Sequence, residues 1–156
     1  MPAVDLDSPT GRLRVVSDGD ALVRVTWIGD HAPALEDSDA VSRETAAQLK
    51  AYFAGGLTRF DLPIRFVGGG SLDRAVWETM RAIPHGEVWT YGDLAARTGG
   101  VARAVGGACG RNPIPIVVPC HRVVGADGKL VGFSGGQGVA TKSWLLDFER
   151  GQTRLL

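Results

Sequence analysis

The most informative segment of the chain is an apolar run that ends in Cys, His and Arg, Ile114-Pro115-Ile116-Val117-Val118-Pro119-Cys120-His121-Arg122-Val123-Val124. Its prolines restrict the backbone, and its β-branched residues are typical of buried segments. A rigid, buried segment is therefore predicted to carry the thiol of Cys120. His121 and Arg122 fill a core poorly, which indicates a chemical role for this end of the run.

Cys120 is the first candidate for a nucleophile. The thiolate is the reactive form of cysteine, and a neighbouring base or cation lowers the free-thiol pKa of about 8.5. His121 and Arg122 are predicted to be such groups. Adjacent residues of a strand point to opposite faces, so His121 need not touch Cys120 and can act through a turn or a bridging water. The residues alone leave the type of catalysis open, including that of a cysteine hydrolase with distant partners.

Length, charge and cysteine usage limit the class of protein. The chain has 156 residues, 44% of them hydrophobic, and no net charge, so the total charge demands no polyanionic partner. Residues 1–70 carry seven Lys and Arg against ten Asp and Glu, and the remainder carries ten against seven, so the second half is expected to face a polyanion. With two cysteines, no secretion signal and no long apolar run, we expect a cytoplasmic protein without a membrane span.

The first half is predicted to be a scaffold domain, 1–70. Short β-branched runs over 13–28, separated by a turn, predict a β-hairpin or a short antiparallel sheet. Helical spacing up to Phe53 predicts one helix, and 62–66 is predicted to be a further strand. No cluster of titratable groups indicates chemistry here, and no metal site is predicted, because His31 and His85 lack partners at ligand spacing.

The second half, 71–156, is predicted to be mainly helical. Ser71 is expected to cap a first helix, and Thr90 with Asp93 forms a capping box for a second. Gly99 and Gly100 separate that helix from another rich in Ala and Gly, which gives the pattern of a helix-turn-helix. The predicted fold class is therefore α+β. Cys109, in the small-residue helix, is predicted to be a buried structural residue.

These motifs together resemble a known family. Pro119-Cys120-His121-Arg122-Val123, with Asn112-Pro113 before it and 132–136 after it, is similar to the signature of bacterial O6-alkylguanine-DNA alkyltransferases. The resemblance continues through 90–95, 102–106 and Lys142, and covers nearly the whole chain. It implies a repair protein that flips O6-alkylguanine out of duplex DNA and transfers the alkyl group irreversibly to Cys120.

The resemblance also implies the roles of individual residues. His121 is expected to act as general base through a water, and Glu149 to orient it. Tyr91 is expected to help rotate the nucleotide out and to donate a hydrogen bond to guanine. The expected DNA-binding residues are Arg103, which fills the vacated stack, with Ala102, Ala104, Gly106 and Tyr91. The expected pocket residues are Val123, Phe133, Ser134 and Asn112. The resemblance implies no cofactor and no metal, and a monomer that binds double-stranded DNA containing O6-alkylguanine.

Besides the cysteine hydrolase, two alternatives remain at this stage. An alkyltransferase-like protein binds damage without transfer, but the acceptor cysteine is replaced in such proteins, whereas Cys120 is present. A helix-turn-helix regulator would carry base-reading side chains along its recognition helix, and Arg103 is the one large polar residue there before Arg111. Phe133 stands where the family more often has Tyr, and the loop over 137–141 is longer than is typical.

Overall fold

The structure, a computed structural model, describes residues 1–35, 37–133 and 135–155, with side chains described up to residue 151. The chain divides into two compact units, Met1–Val67 and Gly68–Leu156. An antiparallel sheet and one helix form the first unit, and helices dominate the second. The predicted α+β class is confirmed.

Three strands form the sheet of the first unit, in the spatial order β1 (Ala3–Leu6), β2 (Leu13–Ser17) and β3 (Leu22–Trp27). Both pairings are antiparallel, with Leu6 opposite Leu13 and Val15 opposite Val25. The predicted hairpin is β2–β3, and β1 extends it to a short antiparallel sheet. Alternate residues of β2 are buried, as expected for a strand with one face on the core.

Helix α1 (Ala40–Phe53) packs on this sheet. Asp39 and Ser42 form a capping box at its start, and Leu49 and Tyr52 are fully buried. The strand predicted over 62–66 is wrong. Within the described residues, this segment forms an isolated parallel bridge between Ile64 and Leu22, and the adjacent Pro63 has no N–H to continue a ladder.

Within its described residues, the second unit contains four helices and a two-stranded parallel ladder: α2 (Ser71–Met80), β4 (Trp89–Thr90), α3 (Tyr91–Thr98), α4 (Ala102–Gly110), β5 (Val123–Val124) and α5 (Val139–Leu155). The predicted capping role of Ser71 is wrong, because the N-cap of α2 is Gly70 and has no side-chain cap. Ser71 is already the first residue of the helix, so its hydroxyl is not at the capping position, and Gly69, with φ of +76°, precedes the N-cap. A Cβ there would lie 2.6 Å from the Trp77 ring, so only glycine lets the chain enter the helix so closely.

Helices α3 and α4 form the predicted pair around a glycine turn. Thr90 and Asp93 make the predicted capping box, and Gly99 ends α3 in the left-handed conformation with φ of +78°. Trp77 of α2 donates a hydrogen bond from Nε1 to the Ala108 carbonyl at 2.8 Å, which fixes α4 against α2. The face of α4 that begins with Ala102 and Arg103 remains exposed.

Candidate active site

The segment that carries Cys120 is held by an unusual turn. Residues 114–124 are all buried, as predicted. The Val117 N–H donates to the Pro115 carbonyl at 2.9 Å, and the intervening Ile116 has φ of +73°. A γ-turn of this hand is strained, and a β-branched residue in it costs on the order of 1–3 kcal/mol. Strain of this size persists only where the surroundings determine the backbone.

Asn112 braces this turn from the end of α4. Its Nδ2 donates to the Val118 carbonyl at 2.8 Å, and its Oδ1 accepts from the Ile114 N–H at 3.0 Å. One side chain thereby ties together the two ends of the strained turn. The chain then enters a single turn of 3₁₀ helix, Cys120–Arg122, before β5.

The Cys120 thiol lies in a buried, weakly polar setting, and 8% of the residue is exposed. Burial raises the pKa of the thiol, while the Asn112 side chain and the charge of Lys142 act in the opposite direction. The prediction that Arg122 lowers this pKa is wrong, because its guanidinium is bonded to Glu149 instead. At neutral pH the thiol therefore needs a base to accept its proton.

His121, the next residue after Cys120, pairs with a buried carboxylate. Its Nε2 lies 2.8 Å from Oε2 of Glu149, and both side chains are fully buried. Burial lowers the pKa of His121, although Glu149 opposes the shift, so the ring is neutral at neutral pH. The carboxylate then selects the tautomer with its proton on Nε2. Within the described residues, Nδ1 is buried and has no hydrogen-bond partner, so it can accept a proton through a water.

Glu149 is fixed by a second strong pairing. Arg122 donates from Nε to Oε1 at 2.8 Å and from Nη2 to Oε2 at 2.9 Å, and its Nη1 donates to the Ile83 carbonyl at 2.7 Å. Burial alone would raise the pKa of Glu149, but His121 and Arg122 outweigh it and hold the pKa well below its ordinary range. The carboxylate is therefore charged, and it can stabilise an imidazolium on His121.

Lys142 is a member of the site whose role the sequence did not reveal. The residue is 1% exposed, and its Nζ donates to the Val131 carbonyl at 2.8 Å and to the Tyr91 hydroxyl at 3.4 Å. Lys142 lies seven residues before Glu149 on α5, on a face that also includes Leu145 and Leu146. Lys142 and Glu149 are charged residues at core positions of an amphipathic helix, and this pattern is the signal in the sequence that could have indicated a role for both.

A cavity of about 500 Å³ lies beside Tyr91 and is also lined by Ala102, Arg103, Gly106, Ala126, Val131 and Gly132, whereas Cys120 and His121 are not among its lining residues. Its lining is almost entirely apolar, and small residues of α4 form one wall. The Tyr91 hydroxyl donates to the Val131 carbonyl at 2.9 Å, and burial raises the pKa of Tyr91 to about 12. The cavity can accept a flat apolar group next to a neutral phenol.

Two sequence profiles match the chain. One, described as "6-O-methylguanine DNA methyltransferase, DNA binding domain", covers residues 71–151. The other, described as "6-O-methylguanine DNA methyltransferase, ribonuclease-like domain", covers residues 6–66. The chain belongs to the 6-O-methylguanine DNA methyltransferase family. The family predicted from the motifs is thereby confirmed, and the chain is a DNA-binding methyltransferase of DNA repair.

Relatives and solved structures agree with this membership in the family. A methylated-DNA–protein-cysteine methyltransferase of Mycobacterium leprae is 40% identical over 154 residues, which cover 94% of this chain and 91% of the relative. A crystal structure of Mycobacterium tuberculosis OGT in complex with DNA has a TM-score of 0.85 and 39% identity, covering 97% of this chain and 94% of that one. A Methanococcus jannaschii O6-methylguanine DNA methyltransferase has a TM-score of 0.67 and 27% identity, covering 94% and 93%.

The structure places the residues that the family resemblance implied in different surroundings. His121, which follows Cys120 in sequence, contacts Glu149, and the cavity is lined by Tyr91, Ala102, Arg103 and Gly106. Ala104, on α4, is half-buried. Among the described residues, Asn112, Val123 and Phe133 do not line the cavity. Ser134 lies outside the described residues.

Two further observations concern metal ligands and membrane spans among the described residues. No group of three or more His, Cys, Asp or Glu side chains among them could hold a metal ion. None of the described helices is long and apolar enough to cross a membrane.

Proposed function

We propose that the chain repairs O6-alkylguanine in duplex DNA by transferring the alkyl group to Sγ of Cys120, once per molecule. The observation that carries the proposal is the buried His121–Glu149 pair, in which His121 directly follows the buried Cys120 in sequence. Among the described residues, Nδ1 of His121 has no hydrogen-bond partner. Such a pair removes the proton of the thiol during the reaction, so that the resting thiol stays protonated. A permanently exposed thiolate would be oxidised.

The proton and the alkyl group move in opposite directions. The Cys120 thiol gives its proton through a water to Nδ1 of His121, and Glu149 stabilises the resulting imidazolium. Sγ then attacks the alkyl carbon, the bond from that carbon to O6 breaks, and its electron pair stays on guanine. The Tyr91 hydroxyl turns its proton from the Val131 carbonyl to the departing base and stabilises it, and the base takes up the proton of the imidazolium through solvent. The product is a thioether, which has no route back to a thiol.

Guanine O6 is inside the duplex, so the nucleotide must leave the stack. Extrusion costs roughly a few kcal/mol, and a damaged pair lowers that cost. We propose that α4 lies in the minor groove, where Ala102, Ala104 and Gly106 allow close approach and few bases are read. Arg103 then fills the vacated stack, and the cavity beside Tyr91 receives the base.

The two parts of the chain have separate tasks in this proposal. Residues 71–156 bind DNA and carry the acceptor, residues 1–70 serve as a scaffold, and the protein acts as a monomer without cofactor or metal. We further propose that Val123 and Ser134 contact the edge of the guanine through their backbone, and that Phe133 forms a pocket wall. Asn112 keeps the Cys120 segment in place through the two hydrogen bonds of its side chain.

The stoichiometry of transfer tests the proposal. Protein is mixed with increasing excess of a duplex that carries a labelled O6-methyl group, and the label bound to protein is counted. We expect the count to stop at one methyl group per protein, because the thioether is stable. Continued consumption of duplex would rule out a single-use acceptor, and the absence of any label on the protein would support binding without transfer.

Arg103 tests the flipping step. Arg103→Ala should slow repair of the duplex at least about tenfold, because losing about 1.4 kcal/mol of support for the extruded state is sufficient. Reaction with free O6-benzylguanine, which needs no extrusion, should change less than about twofold. Arg103→Lys keeps the charge and loses the planar group, so it separates stacking from attraction to phosphate. Equal slowing on both substrates, or full activity of the lysine variant, would contradict the stacking role.

A further inference from the structure

A second histidine approaches the carboxylate that orients His121. After α2, a turn brings the His85 side chain into the interior, where 8% of it is exposed and its Nδ1 lies 3.9 Å from Oε2 of Glu149. The next residue, Gly86, has φ of +81° and directs its N–H toward Oε1 of Glu149 at 3.5 Å. The turn is therefore shaped around this carboxylate.

The same carboxylate oxygen serves both imidazoles. Oε2 accepts from Nε2 of His121 at 2.8 Å and faces Nδ1 of His85 at 3.9 Å. Among the described residues, two further charged groups act on this cluster: Arg122, which bonds both oxygens of Glu149, and Lys142, whose charge acts on His121. Glu87, in the same turn as His85, is exposed. One buried carboxylate thus faces one permanent cation and two side chains that can each become a cation.

We propose that His85 is a positioning residue that acts on His121 through Glu149, so that a proton on His85 slows alkyl transfer. This inference rests on the proposed function, in which His121 must take up a proton before Sγ attacks. It adds a residue that the transfer mechanism does not require.

The direction of the effect follows from the charges. At 3.9 Å, the contact between His85 and Glu149 is longer than a hydrogen bond, so neutral His85 perturbs the carboxylate little. Protonated His85 brings a donor and a positive charge toward Oε2, where it competes with Nε2 of His121. A second cation in a buried cluster also makes an imidazolium on His121 less stable. Transfer therefore slows as the pH falls through the titration of His85.

The rate of single-turnover transfer between about pH 5.5 and 8 tests this role, since histidine changes its charge in that range. The full-length protein is compared with His85→Asn, which keeps a polar group near the position of Nδ1, and with His85→Phe, which keeps the ring. We expect the unaltered protein to slow on the order of tenfold more than either variant over this range. At pH 8, above the range in which an ordinary histidine changes its charge, His85→Asn should match the unaltered protein within about twofold.

Ring ¹⁵N NMR provides a readout that does not depend on transfer. The chain contains three histidines, so their titrations can be resolved and assigned by single substitutions. In both His85 variants the titration midpoint of His121 should move upward, because a competing cation has been removed. His31→Asn, at an exposed position of the first unit, is the matched control and should reproduce the unaltered profile.

The outcomes separate this inference from the function on which it rests. If the protein transfers the alkyl group but the pH profiles and the His121 midpoint are the same with and without His85, the role of His85 is overturned and the proposed function stands. If no transfer occurs at any pH, the proposed function fails, and the His121 midpoint still decides whether His85 acts on it.

Discussion

Replacing Cys120 by alanine is expected to reduce alkyl transfer below detection and to leave binding of a lesion-containing duplex within a few-fold of the unaltered protein. The proposed acceptor atom is lost, while Arg103 and the exposed face of α4 do not depend on the thiol. Transfer is measured as label moved from DNA to protein, and binding is measured at the same salt concentration, because phosphate contacts depend strongly on salt.

Cys109 supplies the matched control for this experiment. It is also buried, and burial raises the pKa of its thiol to about 12, as burial raises that of Cys120, but its neighbours in sequence are Ala108 and Gly110 and include no base. Its Sγ lies 3.7 Å from the sulfur of Met80, a contact between core side chains. Cys109→Ala should transfer at close to the unaltered rate. Transfer that survives in Cys120→Ala but disappears in Cys109→Ala would show that the acceptor has been assigned to the wrong cysteine.

Replacing Glu149 by glutamine is expected to have the second largest effect. The amide cannot stabilise an imidazolium on His121, so transfer should slow by about 10²–10⁴, the usual contribution of a positioned base. Arg122 would also remain buried without its anion, which should lower the free energy of unfolding by about 3–5 kcal/mol. Single-turnover rates and denaturant unfolding measure the two effects separately.

The pH dependence of the free energy of unfolding gives a second measure of the Glu149 carboxylate. Because the pKa of Glu149 is depressed in the folded protein despite its burial, its stabilising effect is complete above the ordinary glutamate pKa of about 4.3. It is lost as the pH falls below that value, toward the folded-state pKa. Glu149→Gln lacks this contribution at every pH.

Asp147→Asn, on the exposed side of α5, is the control for the Glu149 variant. It removes the same charge two residues earlier and should change the rate and the stability little. A Glu149→Gln protein that remains folded and transfers within about twofold of the unaltered rate would contradict the assigned role of the carboxylate.

Local patterns predicted those parts of the fold that depend on neighbouring residues. The Thr90–Asp93 capping box and the Gly99 stop are set within a few residues, and they define α3 as predicted. The β-branched runs of β2 and β3, separated by a short turn, are likewise a local signal. The segment 62–66 has strand composition, but Pro63 has no N–H and the pairing is limited to one bridge between Ile64 and Leu22, which composition alone does not reveal.

The site was predictable as a set of residues and not as a set of contacts. Cys120, His121 and Arg122 are adjacent, so sequence reasoning assigned both neighbours to the thiol. In the fold, one turn of 3₁₀ helix directs Arg122 to Glu149, which lies 27 residues further along the chain. The buried position of Lys142 beside Tyr91 and the positive φ of Ile116 depend in the same way on tertiary packing. Sequence neighbours alone do not define these contacts.

The central claim is that Cys120 is the alkyl acceptor, and intact-protein mass spectrometry followed by peptide mapping tests it most directly. The protein is incubated with a duplex containing one O6-methylguanine and with the same duplex containing guanine. We predict that only the first reaction adds the mass of one methyl group in place of hydrogen, located on the peptide that contains Cys120. An unchanged mass with the lesion duplex, or a methyl group on any other residue, would contradict the claim.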